Sequence, residues 1–348
     1  MIFVRFIIVM KKVYSAMSGG VDSSVSTILL IREGYDVTGI TMQLLDGVSQ
    51  AEDAEDVCRK LGISHETVDL RDEFAAEIID AFARDYEEGR TPNPCTLCNR
   101  KIKFGRLLDY IGDAMISTGH YVRIEYSAKT CRYLIRKACY LEKDQSYFLY
   151  SLGQEALSRI ITPLGEYTKP EVRELAKNEG FVTAAKKESQ DVCFINGSYS
   201  DFIESYRGHG YKPGDFVDME GNVLGTHRGI IHYTVGQRKG LGLALKKPMY
   251  VHHLDVSSNR VVLSDNEELF SRELVCCDFN WVAVERPSEP FRAEARIRYR
   301  HREAPATIYP EKDGRVRIVF DEPQRAITPG QAAVVYYEDI VVGGGRIR

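Results

Sequence analysis

The sequence predicts an α/β protein: a doubly wound, mostly parallel sheet, then a small central β-rich domain, then a C-terminal β-barrel. Three observations carry that prediction. Strand-like apolar runs alternate with helical periodicity over the first 120 residues; a glycine-rich turn joins the first strand directly to the first helix; and beyond about residue 206 short β-branched runs broken by glycine replace helical spacing. The 348 residues, 44% of them hydrophobic, suffice for two or three domains, and boundaries are expected to give 10–203, 204–267 and 268–348. A formal charge of −4 excludes a globally basic nucleic-acid binder, so any RNA contact must come from local basic patches. Eight cysteines are too sparse for a disulfide scaffold and point to a reducing, cytoplasmic setting in which thiols stay reactive. The apolar opening, 1–10, is interrupted by Arg5 and followed by no small-residue cleavage site, so it reads as an extension rather than a signal peptide, with folded structure starting near Met10. No other apolar run reaches spanning length, which argues against a membrane protein.

The elements follow in order. Residues 11–17 read as a buried strand, 23–32 as a helix stopped by Gly34, and 37–42 as a second strand, which together make a βαβ unit. A short helix over 53–61 ends at Gly62, a strand follows at 65–69, and 72–88 is a long amphipathic helix with Phe74, Ile78, Ile79 and Phe82 on one side. The strand expected at 114–118 ends in Gly119 and His120, and ligands of doubly wound sheets collect at such carboxyl ends. Thr168-Lys-Pro-Glu171 is a capping box with proline in the first turn, opening a helix to Asn178. Strands are expected within 211–245, at 250–255 and at 260–263, and several more from Arg272, separated by turns such as 312–314 and 328–330. Alternation over 291–302 would put Arg292, Arg296, Arg298, Arg300 and Arg302 on one strand face, a cationic surface suited to phosphates, with Phe291, Ala293, Ala295, Ile297 and Tyr299 on the core side. Gly236-Gln-Arg-Lys-Gly240 is a second basic loop.

The sharpest motif is Ser18-Gly19-Gly20-Val21-Asp22-Ser23-Ser24, set between strand and helix. Its glycines let backbone approach a ligand, its amides and the helix start attract phosphate, and Ser18, Ser23 and Ser24 add hydroxyl donors. No Gly-Lys-Ser/Thr follows, so it is not the Walker A loop. A second cluster, Thr91-Pro-Asn93-Pro94-Cys95-Thr-Leu-Cys98-Asn-Arg100, places two thiols three apart after a proline-fixed loop. Zinc would want another close pair, and Cys276 and Cys277 point to opposite strand faces. A distant partner is Cys193, within the polar stretch 188–194. His120 is read either as a base-contacting or acid/base residue or as a structural one; Cys58, His252 and His253 are read as structural.

Ser-Gly-Gly-Val-Asp-Ser-Ser resembles the PP-loop of N-type ATP pyrophosphatases. Taken with Asn93-Pro94, Cys98-Asn99, Thr118-Gly-His-Tyr121, Lys143-Asp-Gln-Ser-Tyr147, residues 188–194, Gly225-Thr-His-Arg-Gly229, Thr234-Val-Gly-Gln-Arg-Lys-Gly-Leu241 and Gly330-Gln331, the chain resembles the tRNA-specific 2-thiouridylases from Lys11 to its end. That resemblance implies ATP-dependent replacement, by sulfur, of the 2-oxygen of the wobble uridine in the tRNA anticodon stem-loop, with ATP and magnesium as cofactors and a persulfide donor from a cysteine desulfurase or relay protein. It implies an ATP site of Ala16, Met17, Ser18, Gly19, Gly20, Val21, Asp22, Ser23, Met42 and Gly119. It further implies catalytic thiols at Cys193, which carries the persulfide, and Cys98, which attacks it to release sulfur or to form a resolving disulfide, and tRNA contacts at Asn93, Pro94, Cys95, His120, Lys143, Asp144, Gln145, Arg298, Tyr299 and Gln331. One position departs from the family: Cys95 stands where its loop carries an aspartate, and a thiol of higher pKa cannot serve as the same proton acceptor. Three readings are open for it: a sulfur-relay thiol; with Cys98 and Cys193, a ligand of an iron-sulfur cluster; or a substitution without a role of its own.

Overall fold

The computed structural model describes residues 11–47, 50–181 and 192–348. They fall into two compact units, one of residues 11–47, 50–74 and 99–181, the other of residues 75–98 and 192–348. The expected extension 1–10 and the stretch Glu188 to Asp191 lie outside the described residues.

The first unit is built on strands β1 (Lys12–Ala16), β2 (Asp36–Gln43), β3 (His65–Asp69), β4 (Met115–Ser117), the hairpin of β5 (Val122–Ser127) and β6 (Arg132–Lys137), and the short β7 (Ile160–Ile161). Five of them form a parallel sheet in the order β3-β2-β1-β4-β7. The order reverses beside β1, so the crevice between the carboxyl ends of β1 and β4 is the place where such a sheet accepts a ligand. The helix Val21–Arg32 covers β1 and β4 at close range because its inner face carries small hydroxyls: Ser15 and Thr27 are 2.8 Å apart, Ser26 and Ser117 3.0 Å, and all four are fully buried. Its apolar face, with Val25, Ile28 and Leu29, packs into a core with Ala54, Val57, Val172 and Phe181. The capping box at Thr168 is complete, and the helix it opens runs Lys169–Asn178.

In the second unit, helix Asp80–Glu87 continues a wide π-type turn at Ala75–Ile79, and Pro94–Cys98 forms one short helix. Strands β8 (Gly214–Val217), β9 (Val223–His227), β10 (Tyr250–Asp255) and β11 (Arg260–Ser264) make a sheet in the order β10-β11-β8-β9. Strands β12 (Phe270–Trp281), β13 (Phe291–Arg296), β14 (Ala304–Pro310), β15 (Val316–Arg325), β16 (Ala332–Tyr337) and β17 (Ile340–Ile347) run β12-β15-β14-β13-β16-β17, and β17 pairs back onto β12, closing a barrel around Ile297, Ile308, Ile318, Phe320 and Val335. Closure removes the exposed edges an open sheet would leave.

One expectation is corrected. The strand predicted through residue 302 stops at Arg296, because the Arg296 guanidinium folds the chain back onto itself, donating to the carbonyls of Tyr299 and, at 3.0 Å, His301. The five arginines therefore do not share one strand face.

Candidate active site

In the first unit, β1 delivers Ala16, Met17 and Ser18 into the turn that starts the helix Val21–Arg32. Gly19 has φ +69°, a conformation that favours glycine, and Gly20 is an N-cap with no side-chain hydrogen bond to the helix. The first amides of the helix are thus left to a ligand, the arrangement that binds anions. Ser23 and Ser24 turn their hydroxyls onto the Gly20 carbonyl at 3.0 and 2.9 Å, and Ser18 is exposed. Met17 is tied across to β2 through the Ile40 carbonyl and the Thr41 hydroxyl, and Met42 sits near the end of that strand. Gly119, just past β4, lies so near the loop that a Cβ there would come within 2.8 Å of the Ser23 nitrogen.

Beside it, His120 accepts or donates a 2.8 Å hydrogen bond with the Thr118 hydroxyl. Burial, with a lesser contribution from the Lys103 charge, pushes its imidazole down to about 3, so it is neutral at physiological pH. Asp144 is buried and accepts from the Ala138 amide, the Ser146 amide and the Ser146 hydroxyl, which makes it a brace of its own loop. Gln145 is locked to Tyr121 in both directions, and Lys143 lies half-buried at the end of a single 3-10 turn.

Two residues of this unit, Lys169 and Tyr121, lie within motifs already noted but were given no role of their own. Lys169 Nζ reaches both carboxylate oxygens of Asp22, at 2.7 and 2.8 Å, and the Tyr121 hydroxyl donates to Asp22 Oδ1 at 2.9 Å. The available signal was a lysine in the first turn of a capped helix, where a cation opposes the helix dipole.

In the second unit, Thr96 donates its hydroxyl to the Asn93 carbonyl at 2.9 Å, which seats the short helix Pro94–Cys98. Cys95 on that helix is exposed and Cys98 is buried. Cys193 is exposed, while the adjacent Phe194 is buried edge-on against Phe82 at 5.3 Å and tilted against Phe202 at 5.2 Å, fixing the backbone that carries the thiol. Among the described residues no group of three or more His, Cys, Asp or Glu side chains that could hold a metal ion is found. Gln331 donates to the carbonyls of Thr91 and Pro92 at 2.8 and 3.3 Å, and Arg298 donates to the Ala326 carbonyl and, at 2.9 Å, to the Thr328 hydroxyl. Both brace the protein, while Tyr299 is half-buried and Arg300 and Arg302 are exposed. No helix among the described residues is long and apolar enough to cross a membrane.

Three family profiles match the chain in order: a tRNA methyl transferase HUP domain over residues 11–197, a tRNA methyl transferase PRC-barrel domain over 200–265 and an aminomethyltransferase beta-barrel domain over 271–347. Curated relatives named tRNA-specific 2-thiouridylase MnmA include those of Acetivibrio thermocellus, 49% identical over 97% of this chain and 99% of the relative, and of Heliobacterium modesticaldum, 49% identical over 97% and 92%. The Clostridioides difficile relative is 44% identical over 97% and 98%. Among solved structures, a 4-thiouridine synthetase–RNA complex with bound ATP matches at 17% identity and a TM-score of 0.37, covering 57% of this chain and 50% of that one, a likeness too slight to bear on function. Identity near one half over almost the whole of both chains decides the matter: this chain belongs to the family of tRNA-specific 2-thiouridylases.

Proposed function

We propose that this protein replaces the C2 oxygen of the wobble uridine in a tRNA anticodon by sulfur, with cleavage of ATP to AMP and pyrophosphate. The observation that carries the reading is the uncapped helix start at the turn Ser18 to Ser23, set where the sheet order reverses, in a chain that also holds thiols at Cys98 and Cys193. Uridine O2 is a poor leaving group. Its attack on the α-phosphorus of ATP expels pyrophosphate and leaves AMP on the oxygen, which then departs readily. Magnesium carried on the ATP phosphates would offset their charge; the Asp22 carboxylate is already engaged by Lys169 and Tyr121 and is not assigned to the metal.

Sulfur arrives as the terminal atom of a persulfide on Cys193, whose exposure suits loading by a cysteine desulfurase or relay protein. That atom attacks C2 and AMP leaves. The Cys98 thiolate then attacks Cys193 Sγ, breaking the bond to the transferred sulfur; the base keeps a thiocarbonyl, and a Cys98–Cys193 disulfide remains for an external thiol to reduce. In this reading residues 10–203 carry the chemistry, and 204–267 with 268–348 help hold the tRNA. Cys95 acts as a further relay thiol in place of a carboxylate. The profile descriptions name methyl transfer, but a methyl donor requires neither a pyrophosphate-binding turn nor two thiols. An amide-forming synthetase with the same loop would likewise have no use for Cys98 and Cys193.

The test is nucleoside mass spectrometry of tRNA incubated with the protein, magnesium-ATP and a persulfide donor. Appearance of 2-thiouridine is expected, and Cys98→Ala and Cys193→Ala should each abolish it while tRNA still binds in a filter assay. Near-normal product from either variant would overturn the thiol assignment; AMP release without thiolated base would overturn sulfur as the transferred group.

A further inference from the structure

Lys169 occupies the first position of the helix Lys169–Asn178, where the dipole disfavours a cation, and only 7% of its side chain is exposed. Burying an ammonium there is costly, and the helix start does not need it, because Thr168 and Glu171 already cap it reciprocally. The compensation is specific. Both oxygens of Asp22 accept from Nζ, the Tyr121 ring lies 5.7 Å from the ammonium, and the Tyr121 hydroxyl binds the same carboxylate. Asp22 in turn sits in the first turn of the helix whose amides await a polyphosphate. A bare carboxylate at that place would repel the ligand that the turn is built to attract.

We propose that Lys169 is a positioning residue of the nucleotide site: it holds Asp22 in one orientation and cancels its charge, so that the loop presents a neutral, donor-rich surface to the ATP phosphates. This rests on the ATP reading of the loop. Lys169 works through Asp22, with Tyr121 as the third member that keeps the carboxylate and the ammonium aligned. The absence of a Walker lysine in the loop is thereby answered by a lysine 147 positions further along the chain, acting on the loop's own aspartate.

The experiment measures ATP binding to the full-length protein by equilibrium dialysis at fixed ionic strength, in EDTA so that no metal screens the phosphates. Lys169→Met is expected to weaken binding about tenfold, Asp22→Asn to tighten it about threefold, and the double variant to return near the wild type. Rescue by the second substitution is the signature of charge cancellation, since a packing role for Lys169 would leave the double variant as weak as the single one. Equal weakening of Lys169→Met and the double variant, or weaker binding by Asp22→Asn, overturns the assignment. The Asp22→Asn result stands even if Lys169→Met fails to fold. Absence of saturable ATP binding by the wild type overturns the nucleotide reading itself, and this inference with it.

Discussion

His120 shows how much one residue's surroundings add to its identity. In sequence it is a histidine after a strand end, open to either a catalytic or a structural role; in the fold it is held by Thr118 and lies 6.1 Å from Phe104, with its imidazole pushed down to about 3. A neutral imidazole can accept or donate a hydrogen bond but carries no charge for phosphate. The shift also has a sign for stability. The unfolded chain takes up this proton as pH falls through about 6.5, whereas the folded chain resists until about 3, so the contribution is present above 6.5 and lost progressively between 6.5 and 3. Replacing the residue by glutamine, which keeps a partner for Thr118 and cannot titrate, is expected to shrink the loss of melting temperature between pH 7 and pH 5. Calorimetry of the two proteins at both values tests this, and an equal loss would refute it. Cys58, read as structural, is by contrast plain from both directions: burial pushes its thiol up to about 11, so it stays protonated and inert.

Elements were legible where their chemistry is local. The βαβ opening, the capped helix at Thr168 and the turn of glycines before Val21 all announce themselves through neighbouring residues, and each lies within a few positions of its expected bounds. The two π-type segments were not legible, since a wide turn changes neither composition nor the general apolar stripe. They begin at Ala75 and Asn99, the two described points where the chain passes from one compact unit to the other, and the second follows directly on Cys98. Nor could sequence alone explain Gly119, whose φ is ordinary. The reason is the approach of another element: a Cβ would stand 2.8 Å from Ser23 N and 2.9 Å from the Asp22 carbonyl carbon, both backbone atoms that move only if the loop opens. Gly119→Ala is therefore expected to cost about 1–3 kcal/mol of stability and to weaken ATP binding at least about tenfold. Denaturant unfolding and nucleotide titration would measure the two, and unchanged ATP affinity would show that the contact does not shape the loop.

At the scale of the whole molecule, the cysteine-bearing segment Ala75–Cys98 belongs to a unit whose other residues lie more than ninety positions further along the chain. Arg207 bridges Asp80 and Glu87, Tyr211 donates to Glu87, Arg90 and Arg346 converge on Asp85, and the Thr91 amide donates to the Pro329 carbonyl at 2.8 Å. No periodicity records such contacts, so a sequence that points Gln331 and Arg298 to the RNA does not show that both also hydrogen-bond within the protein. The line of support is continuous: Arg298 holds Ala326 and Thr328, the following turn carries Pro329 and Gly330, and Gln331 grips Thr91 and Pro92 just ahead of Asn93 and the helix of Cys95 and Cys98. A Cβ on Gly330 would meet the Thr91 amide at 2.9 Å, so the barrel turn and the cysteine loop are in direct contact. If Gln331 acts by holding that loop, Gln331→Ala should lower kcat for thiolation about tenfold while the Kd for tRNA stays within about twofold, because a slack loop misplaces Cys98 without removing a phosphate contact. If Gln331 instead contacts tRNA, Kd rises and kcat at saturating tRNA is retained. Single-turnover thiolation measured beside filter binding separates the two, since a brace acts on the chemical step and a contact on association.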